Sequence, residues 1–143
     1  MKPIIQEMTI SDYEEVRALW SESEGLDLSD ADSRSSIERF LERNPGLSFV
    51  VREDGQLVGA VLCGHDGRRG YIDNLAVRAS HRRQGIGRML ASRCVYQLIR
   101  IGISKWNLFV REDNQAAIDF WRQLGWHQRV ELLTLSNPGG ETG

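Results

Sequence analysis

The sequence predicts an α/β domain in which a mixed, mostly antiparallel sheet is flanked by helices. Stretches of strand-type and helical patterning alternate in the order β-α-α-β-β-β-α-β-α-β. The dipeptide Asp54-Gly55 joins two apolar runs, which is a strong signal for an antiparallel hairpin. A strand–helix–strand stretch follows over residues 71–110, and such a crossover joins parallel strands. The 143 residues suit one domain, which we expect over residues 1–137, with a flexible tail at 138–143.

The first half of the chain predicts one strand, two helices and the hairpin. Residues 2–9 form the first predicted strand, and Ser11 and Glu14 then have the spacing of a capping box that starts a helix. A second helix has apolar residues at helical spacing and ends at residues 44–46, Asn-Pro-Gly. The hairpin strands are predicted at 47–53 and 56–64.

The second half predicts three further strands and two helices. A strand at 71–77 leads through a basic turn into a helix at 86–99, whose apolar residues lie on one face. Gly102 is expected to end this helix. The remaining elements are a strand at 105–110, a helix at 114–125 and a final strand at 130–136.

The composition is that of a globular protein without a membrane span or secretory signal. Hydrophobic residues make up 41% and charged residues 27%, and no apolar run reaches the ~18 residues of a transmembrane helix. The N-terminal segment lacks the apolar centre of a signal peptide, so we expect a cytoplasmic protein. Cys63 and Cys94 fit no metal or disulfide pattern and are expected to be buried thiols.

Charge is unevenly distributed, although the net charge is only −2. Residues 1–42 carry eleven acidic and four basic side chains, whereas residues 64–100 carry eight arginines and two aspartates. The near-neutral total argues against a dedicated nucleic-acid-binding protein. The arginine-rich half favours an anionic ligand and the acidic half a cationic one, unless both are only solvated surface.

A turn rich in arginine and glycine, RRQGIGR at residues 82–88, stands between a predicted strand and a predicted helix. A dinucleotide-binding turn requires a third glycine where this chain has Leu90, and the sequence contains no P-loop motif. The remaining possibility is a turn whose main-chain N–H groups hold a pyrophosphate at the helix start. Glycines allow the close approach of a ligand, while the helix dipole and arginines add positive charge.

Residues 82–87 resemble the R/Q-x-x-G-x-G/A signature of the GCN5-related N-acetyltransferases, the GNAT family, whose members bind acetyl-CoA. Leu75-Ala76-Val77 resembles the end of the strand that precedes this signature in the family. Residues 110–126 resemble a further family segment, with matches at Val110, Asn114, Ala117 and Gly125 and with Trp126 in its aromatic position. Because the three segments follow in the family's order and spacing, the chain is identified as a GNAT member along almost its whole length.

The resemblance implies an acetyl-CoA site without a metal ion. Main-chain amides of the turn would hold the pyrophosphate, at Arg82, Arg83, Gln84, Gly85, Ile86, Gly87 and Arg88. Strand 71–77 would splay from strand 105–110, and the pantetheine arm would lie in the gap against the backbone of Leu75, Ala76 and Val77. From the last helix, the resemblance implies contacts by Asn114, Ala117 and Trp121.

The implied activity is acetyl transfer to a primary amine by direct attack. An aliphatic amine has a pKa of about 10, so it must lose a proton before attacking. Asp73 is the candidate base, and strand alternation predicts Tyr71, Asp73, Leu75 and Val77 on one face. The alternative for Asp73 is a turn cap or a partner for an arginine.

Trp121 departs from the family pattern, which has a tyrosine there to protonate the departing thiolate. An indole N–H donates a hydrogen bond but is not an acid at neutral pH. Either the thiolate leaves without an acid, or Tyr71 or Tyr96 serves, or the protein is a non-catalytic acyl-CoA sensor. Packing of Trp121 beside Phe120 explains the residue equally well.

In the family, the first two helices and their loop line the acceptor side. This segment is acidic here, with Glu22, Glu24, Asp27, Asp30 and Asp32. Such residues suit a cationic amine or a basic peptide, unless the loop is simply solvated, and Trp20 and Leu26 would add an apolar wall. We expect no nucleic acid or membrane partner and a monomer or homodimer, while the acceptor itself stays open.

Overall fold

The computed structural model describes residues 2–139, which form a five-stranded sheet with helices on both faces. The elements are β1 (Ile4–Glu7), α1 (Tyr13–Glu22), α2 (Arg34–Arg43), β2 (Phe49–Glu53), β3 (Gln56–His65), β4 (Gly70–Val77), α3 (Ile86–Arg100), β5 (Trp106–Asn107) and α4 (Gln115–Gln123). Short 3₁₀ turns precede α1, α2 and α3. Within these residues no helix has both the length and the hydropathy needed to cross a membrane.

The strands lie in the sheet in chain order, and the pairing is antiparallel up to β4 and parallel between β4 and β5. The β2–β3 hairpin closes at Asp54 and Gly55, whose φ angles of 52° and 81° are both left-handed. Two consecutive left-handed residues match the twist of a two-residue hairpin. The predicted α/β fold class, the hairpin and the crossover are therefore confirmed.

Two apolar cores stabilise the two faces of the sheet. One core lies beneath α3 and α4 and includes Ile72, Leu90 and Trp121, while the other lies beneath α1 and α2 and includes Trp20 and Ala76. Cys63 and Cys94 are buried free thiols in the α3-side core, as expected. The helices α3 and α4 therefore cover one side of the sheet, and α1 and α2 cover the other.

A bulge in β4 corrects the prediction that Tyr71, Asp73, Leu75 and Val77 share a face. Leu62 of β3 pairs with Asp73 but Ala60 pairs with Ala76, so β4 contains one extra residue in this interval. At the bulge Asn74 has a φ of +52°. The extra residue reverses the alternation: Tyr71 and Asp73 face α2, whereas Leu75 and Val77 pack on the α3 side.

The start of α1 also differs from the prediction. The capping interaction joins Thr9 and Asp12, whose carboxylate accepts from the Thr9 N–H at 2.9 Å, rather than Ser11 and Glu14. The 3₁₀ turn at Ile10–Asp12 forms first, so the helix proper begins only at Tyr13. The cap therefore lies two residues earlier than the sequence pattern predicted.

The predicted final strand at 130–136 does not form, which corrects the last β of the predicted order. Its apolar residues are exposed, with Leu133 and Leu135 at 88% and 91%. Strand 105–110 is likewise reduced to Trp106–Asn107, so the sheet lacks the edge on which a sixth strand would pair. Of the predicted tail at 138–143, residues 140–143 lie outside the described residues.

Candidate functional site

The basic turn leads from β4 into α3 through two residues in the left-handed region. Arg83 has a φ of 65° and Gly85 a φ of 83°, and α3 begins immediately afterwards at Ile86. Gly85 is the N-cap residue and has no side chain to satisfy the first amides of the helix. The local sequence therefore leaves the helix start open to an external hydrogen-bond acceptor.

Six consecutive main-chain N–H groups are available to such an acceptor. Across residues 2–139, no protein acceptor is found for the N–H groups of Arg83, Gln84, Gly85, Ile86, Gly87 or Arg88. The first bonded amide is that of Met89, which donates to the Gly85 carbonyl at 3.0 Å. Unpaired amides and the positive end of the helix dipole together form an anion site.

The arginines of the turn differ in their contacts. Arg82 donates from Nε to the Val77 carbonyl at 3.3 Å, so it folds the turn back onto β4. Arg83 and Arg88 are exposed, and neither has a carboxylate within 4 Å in the described chain. Two guanidinium groups thus remain available beside the open amides for a phosphate.

One edge of β4 is free next to this turn. Pairing with β5 stops at Tyr71 and Asn107, so the two strands separate beyond that point. The Arg78 N–H donates to Val58 of β3 at 2.8 Å. Because successive residues of a strand point their polar groups to opposite edges, those of Leu75 and Val77 face the gap.

Ala76 and Ile86 are not exposed to this gap. Ala76 pairs with Ala60 of β3, and its side chain is buried beneath α1 and α2. Ile86 is 1% exposed in the α3-side core, so only its main-chain N–H faces the turn. The structure gives Ala76 a packing role, and its contact with a cofactor stays a prediction.

Gly87 allows α4 to pack against the start of α3. A Cβ built on Gly87 meets the Phe120 ring at 3.1 Å and the Leu75 side chain at 3.6 Å. A side chain at this position therefore requires the ring to shift. The second glycine of the motif serves close packing, while the first, Gly85, serves backbone conformation.

Asn114 lies at the start of α4 and contacts the loop after α1. Its Oδ1 accepts from the Ala117 N–H at 3.2 Å, which makes it a helix N-cap. A Cβ built on Gly25 would collide with Asn114 Nδ2, so the loop approaches Asn114 this closely because residue 25 is a glycine. The structure gives Asn114 and the half-buried Ala117 structural roles, and their contact with a cofactor stays a prediction.

Trp121 is part of the α3-side core. It is 8% exposed and packs edge-on against Phe120 and Trp126, with ring centroids 5.0 and 5.2 Å away. Its indole N–H makes no hydrogen bond to any residue from 2 to 139. These contacts favour the packing explanation of this residue.

Asp73 lines a cavity of about 530 Å³ between α2 and β4. Burial raises the pKa of this carboxyl above its ordinary value, and the neighbouring charge of Asp32 raises it further. Within the described chain Asp73 has neither a hydrogen-bond partner nor an arginine partner, so the alternative roles of cap and ion pair are not found. A carboxyl with a raised pKa is a stronger base than an ordinary aspartate, which makes Asp73 a candidate proton acceptor.

Tyr71 and Tyr96 lie on opposite faces of the sheet. Tyr71 faces the same side as Asp73 and stacks on Phe109, with ring centroids 6.4 Å apart. Tyr96 is exposed on the outer side of α3, where Arg100 lies over its ring. Only Tyr71 is therefore placed near the candidate base.

A polar network that was not predicted supports this cavity. Asp32 is 8% exposed and accepts hydrogen bonds from Asn74 Nδ2 at 2.8 Å and from the Ser29 N–H at 3.0 Å. The Trp20 indole donates to the Asn74 carbonyl at 3.0 Å, and the Tyr13 hydroxyl donates to the Asp32 carbonyl at 2.6 Å. The network fixes the bulge beside Asp73. The only sign of it in the sequence was the three-residue spacing of Ser29 and Asp32, which is that of a capping box.

The acidic loop does not form one acceptor surface. Asp27 pairs with Arg111, and Glu22 lies 3.9 Å from Arg78. Of the five acidic residues in this loop, only Asp32 lines the cavity. Trp20 is fully buried and Leu26 packs on the same core, so the expected apolar acceptor wall is wrong for Trp20.

Comparison with known proteins decides the family. The sequence profile of the acetyltransferase (GNAT) family matches residues 13–126. The chain belongs to this family. It is 37% identical over 124 residues to an acetyltransferase of Sodalis glossinidius, covering 87% of both chains. It is 39% identical over 123 residues to one of Yersinia enterocolitica, covering 86% of both.

Solved structures of acetyltransferases share the fold of this GNAT protein. Ard1 from Thermoplasma volcanium superposes with a TM-score of 0.78 at 23% identity, over 87% of this chain and 82% of that one. AAC(6′)-Iy, solved with a bisubstrate analogue containing coenzyme A, also superposes with a TM-score of 0.78. It is 16% identical, over 96% of this chain and 99% of that one. The diaminobutyrate acetyltransferase of Paenibacillus lautus, solved with its substrate and coenzyme A, superposes with a TM-score of 0.72. It is 21% identical, over 86% of this chain and 74% of that one.

Membership in the GNAT family makes acetyl transfer from acetyl-CoA the activity class of the chain. The open amides, the exposed arginines and the free edge of β4 suit a ligand with a pyrophosphate and an amide-containing arm. Between residues 2 and 139 no cluster of three or more metal-ligating side chains occurs.

Proposed function

We propose that the protein transfers the acetyl group of acetyl-CoA to a primary amine by direct attack. The observation that carries this proposal is the row of six unpaired amides from Arg83 to Arg88, which opens beside the free edge of β4. Two of the solved neighbours, AAC(6′)-Iy and the diaminobutyrate acetyltransferase, were solved with a coenzyme A analogue or with coenzyme A and an amine substrate, which supports the same chemistry.

The turn would hold the pyrophosphate through these amides, with Arg83 and Arg88 as countercharges. The polar main-chain groups of Leu75 and Val77 would bond the amides of the pantetheine arm, as an added strand bonds a sheet edge. Because the pyrophosphate would lie at the turn, the arm would run back along β4 and carry the thioester toward the Asp73 end of the strand. Binding at this edge would align the acetyl carbon with an amine that enters from the α2 side.

Asp73 would accept the proton of the amine, directly or through one water. The neutral amine nitrogen then bonds to the acetyl carbon and the carbon–sulfur bond breaks, with its electron pair leaving on sulfur. The nitrogen releases its second proton to water as the amide forms. The raised pKa of Asp73 suits a base that works near neutral pH. Tyr71, on the same face, would return a proton to the thiolate, a role that its phenol can fill.

Trp121 has no chemical role in this proposal, since it packs in the core away from the Asp73 face. The buried thiols Cys63 and Cys94 support a cytoplasmic location, where cysteines stay reduced. A sensor without catalytic activity is the second candidate, because the family tyrosine is replaced by Trp121.

Two measurements test the proposal. Acetyl-CoA should raise the melting temperature, because a ligand at 100 times its Kd adds about 2.7 kcal/mol of stability. Release of the free thiol with a panel of amines should then separate an enzyme from a sensor. Thermal stabilisation without thiol release for any amine supports the sensor, and no stabilisation at all contradicts both.

A further inference from the structure

The cavity between α2 and β4 is lined by side chains of both charges. Asp73 and Asp32 line it from β4 and the turn before α2, and Arg39 and Arg43 line it from α2. Its volume of about 530 Å³ lies within the roughly 300–1,000 Å³ range of small-molecule sites. The sequence had predicted only acidic residues and a cationic acceptor here.

Arg39 and Arg43 are placed to bind an anion. Residues four apart share one face of a helix, so both guanidinium groups lie on the side of α2 that borders the cavity. Both side chains are exposed, and in the described part of the chain neither has an acidic partner within 4 Å. Arg34 of the same helix differs, since it lies 3.6 Å from Glu14 and does not line the cavity.

The two carboxylates differ, because within the described residues Asp32 is already bonded to protein donors and Asp73 is not. The Asp32 carboxylate already accepts hydrogen bonds from Asn74 and Ser29, one on each oxygen. No such donor from residues 2–139 reaches Asp73. The cavity therefore presents one unpaired carboxylate and two unpaired guanidinium groups to its occupant.

We propose that the acceptor is a small zwitterionic amine, an amino acid whose reacting side-chain amine faces Asp73 while its carboxylate binds Arg39 and Arg43. The inference rests on the proposed function, because it assigns the substrate class of the same site. A guanidinium binds a carboxylate through two parallel hydrogen bonds, which selects for the planar anion as well as its charge. A polycationic acceptor would be repelled by the same two arginines.

Matched pairs of amines that differ only by a carboxylate test the inference. Ornithine is compared with putrescine, and lysine with cadaverine, by thiol release from acetyl-CoA. We expect kcat/KM to favour the carboxylated member of at least one pair by about tenfold or more, as for a charge-assisted contact of ~1.4 kcal/mol. The Arg39→Ala/Arg43→Ala variant should lose this preference through a higher KM, with little change in kcat.

Two further variants separate recognition from folding. Arg34→Ala removes an arginine from the same helix outside the cavity, so it should keep the full preference. Arg39→Lys/Arg43→Lys keeps the charge but loses the two parallel hydrogen bonds of a guanidinium. This variant should therefore retain part of the preference for the carboxylated amine. Thermal unfolding shows whether each variant is folded.

The outcomes distinguish this inference from the proposed function. Equal acetylation of both members by the parent protein contradicts the inference but leaves acetyl transfer standing. Acetylation of peptide N-termini alone, with none of the four amines accepted, also overturns it. Calorimetric titration of both pairs into the protein saturated with coenzyme A gives a readout without turnover. If neither ornithine nor lysine binds more tightly than the matching amine without a carboxylate, the inference is wrong.

Discussion

The basic turn at residues 82–88 and the cavity between α2 and β4 lie on opposite sides of β4 and are built from different chemical groups. The turn uses main-chain amides, which Gly85 and Arg83 expose by their left-handed conformations. The cavity uses side chains from α2 and β4, oriented by the network around Asp32. A main-chain site depends on a short local motif, whereas a side-chain site depends on distant elements coming together.

Removing the candidate base tests the acceptor region most strongly. Asp73→Asn should lower turnover by about 10²–10⁴-fold, the usual contribution of a general base. Acetyl-CoA affinity should stay unchanged, because the open amides lie in the other region. Steady-state kinetics and a thermal shift with acetyl-CoA measure the two effects, and Asp119→Asn, an exposed aspartate on α4, is the control. Unchanged turnover with an accepted amine would contradict the role.

The Asp73→Asn variant also tests how the stability of the protein depends on pH. The pKa of Asp73 is raised in the folded state, so the native protein holds this proton more tightly than the unfolded chain. The contribution of Asp73 to the unfolding free energy is therefore fully present below the ordinary aspartate pKa of about 3.9. It is lost as the pH rises through the pKa that Asp73 has in the folded state. Asp73→Asn should melt higher than the parent at neutral pH, and this difference should vanish at acid pH. Melting temperatures across the pH range measure it.

Breaking the Asp32 network should affect the cavity without affecting the turn. Asp32→Ala leaves Asn74 Nδ2 and the Ser29 N–H without acceptors, which should lower the unfolding free energy by about 1–3 kcal/mol. The acceptor KM should rise, and the acidic limb of the pH–rate profile should move to lower pH, because a charge that raises the pKa of Asp73 is gone. Asp30→Ala, in the same turn but exposed, is the control. Weaker acetyl-CoA binding in Asp32→Ala alone would show that the two regions are coupled.

A glycine replacement makes the converse test in the turn. Gly85→Ala must hold an alanine at a φ of 83°, which should cost about 1 kcal/mol of stability. Because the free turn relieves this strain by relaxing, acetyl-CoA should bind about fivefold more weakly, since restoring the open amides costs similar energy. Gly55→Ala is a matched control, because its φ is 81° and both positions have free space for a Cβ. Calorimetry should show weaker binding only for Gly85→Ala; equal affinities would contradict the role of the turn.

The difference between the two regions also explains what could be predicted from the sequence. The turn at 82–88, the hairpin at Asp54-Gly55 and α3 depend on neighbouring residues, and all three were predicted. The bulge was not, because Asn74 carries its left-handed conformation without a glycine signal. Once the bulge reversed the alternation of β4, the face assigned to Leu75 and Val77 was wrong.

The composition of the cavity escaped prediction for a related reason. Arg39 and Arg43 belong to a helix that reads as an ordinary amphipathic segment, and only the packing of α2 over β4 brings them to Asp73. The predicted strand at 130–136 failed because strand-type patterning does not guarantee a pairing partner. Long-range contacts decided each of these features.

The smallest effect is expected in α4, which packs against the start of α3. In Trp121→Tyr a phenol replaces an indole that packs edge-on against Phe120 and Trp126, so the core should lose about 1 kcal/mol. Turnover should stay the same or rise, because the indole is not an acid and a hydroxyl adds one possible donor. Trp121→Phe, which has the same ring as the tyrosine variant but no hydroxyl, is the control. Higher turnover for tyrosine alone would show that α4 reaches the reacting sulfur, and complete loss of acetyl-CoA binding would show that the indole shapes the cofactor side.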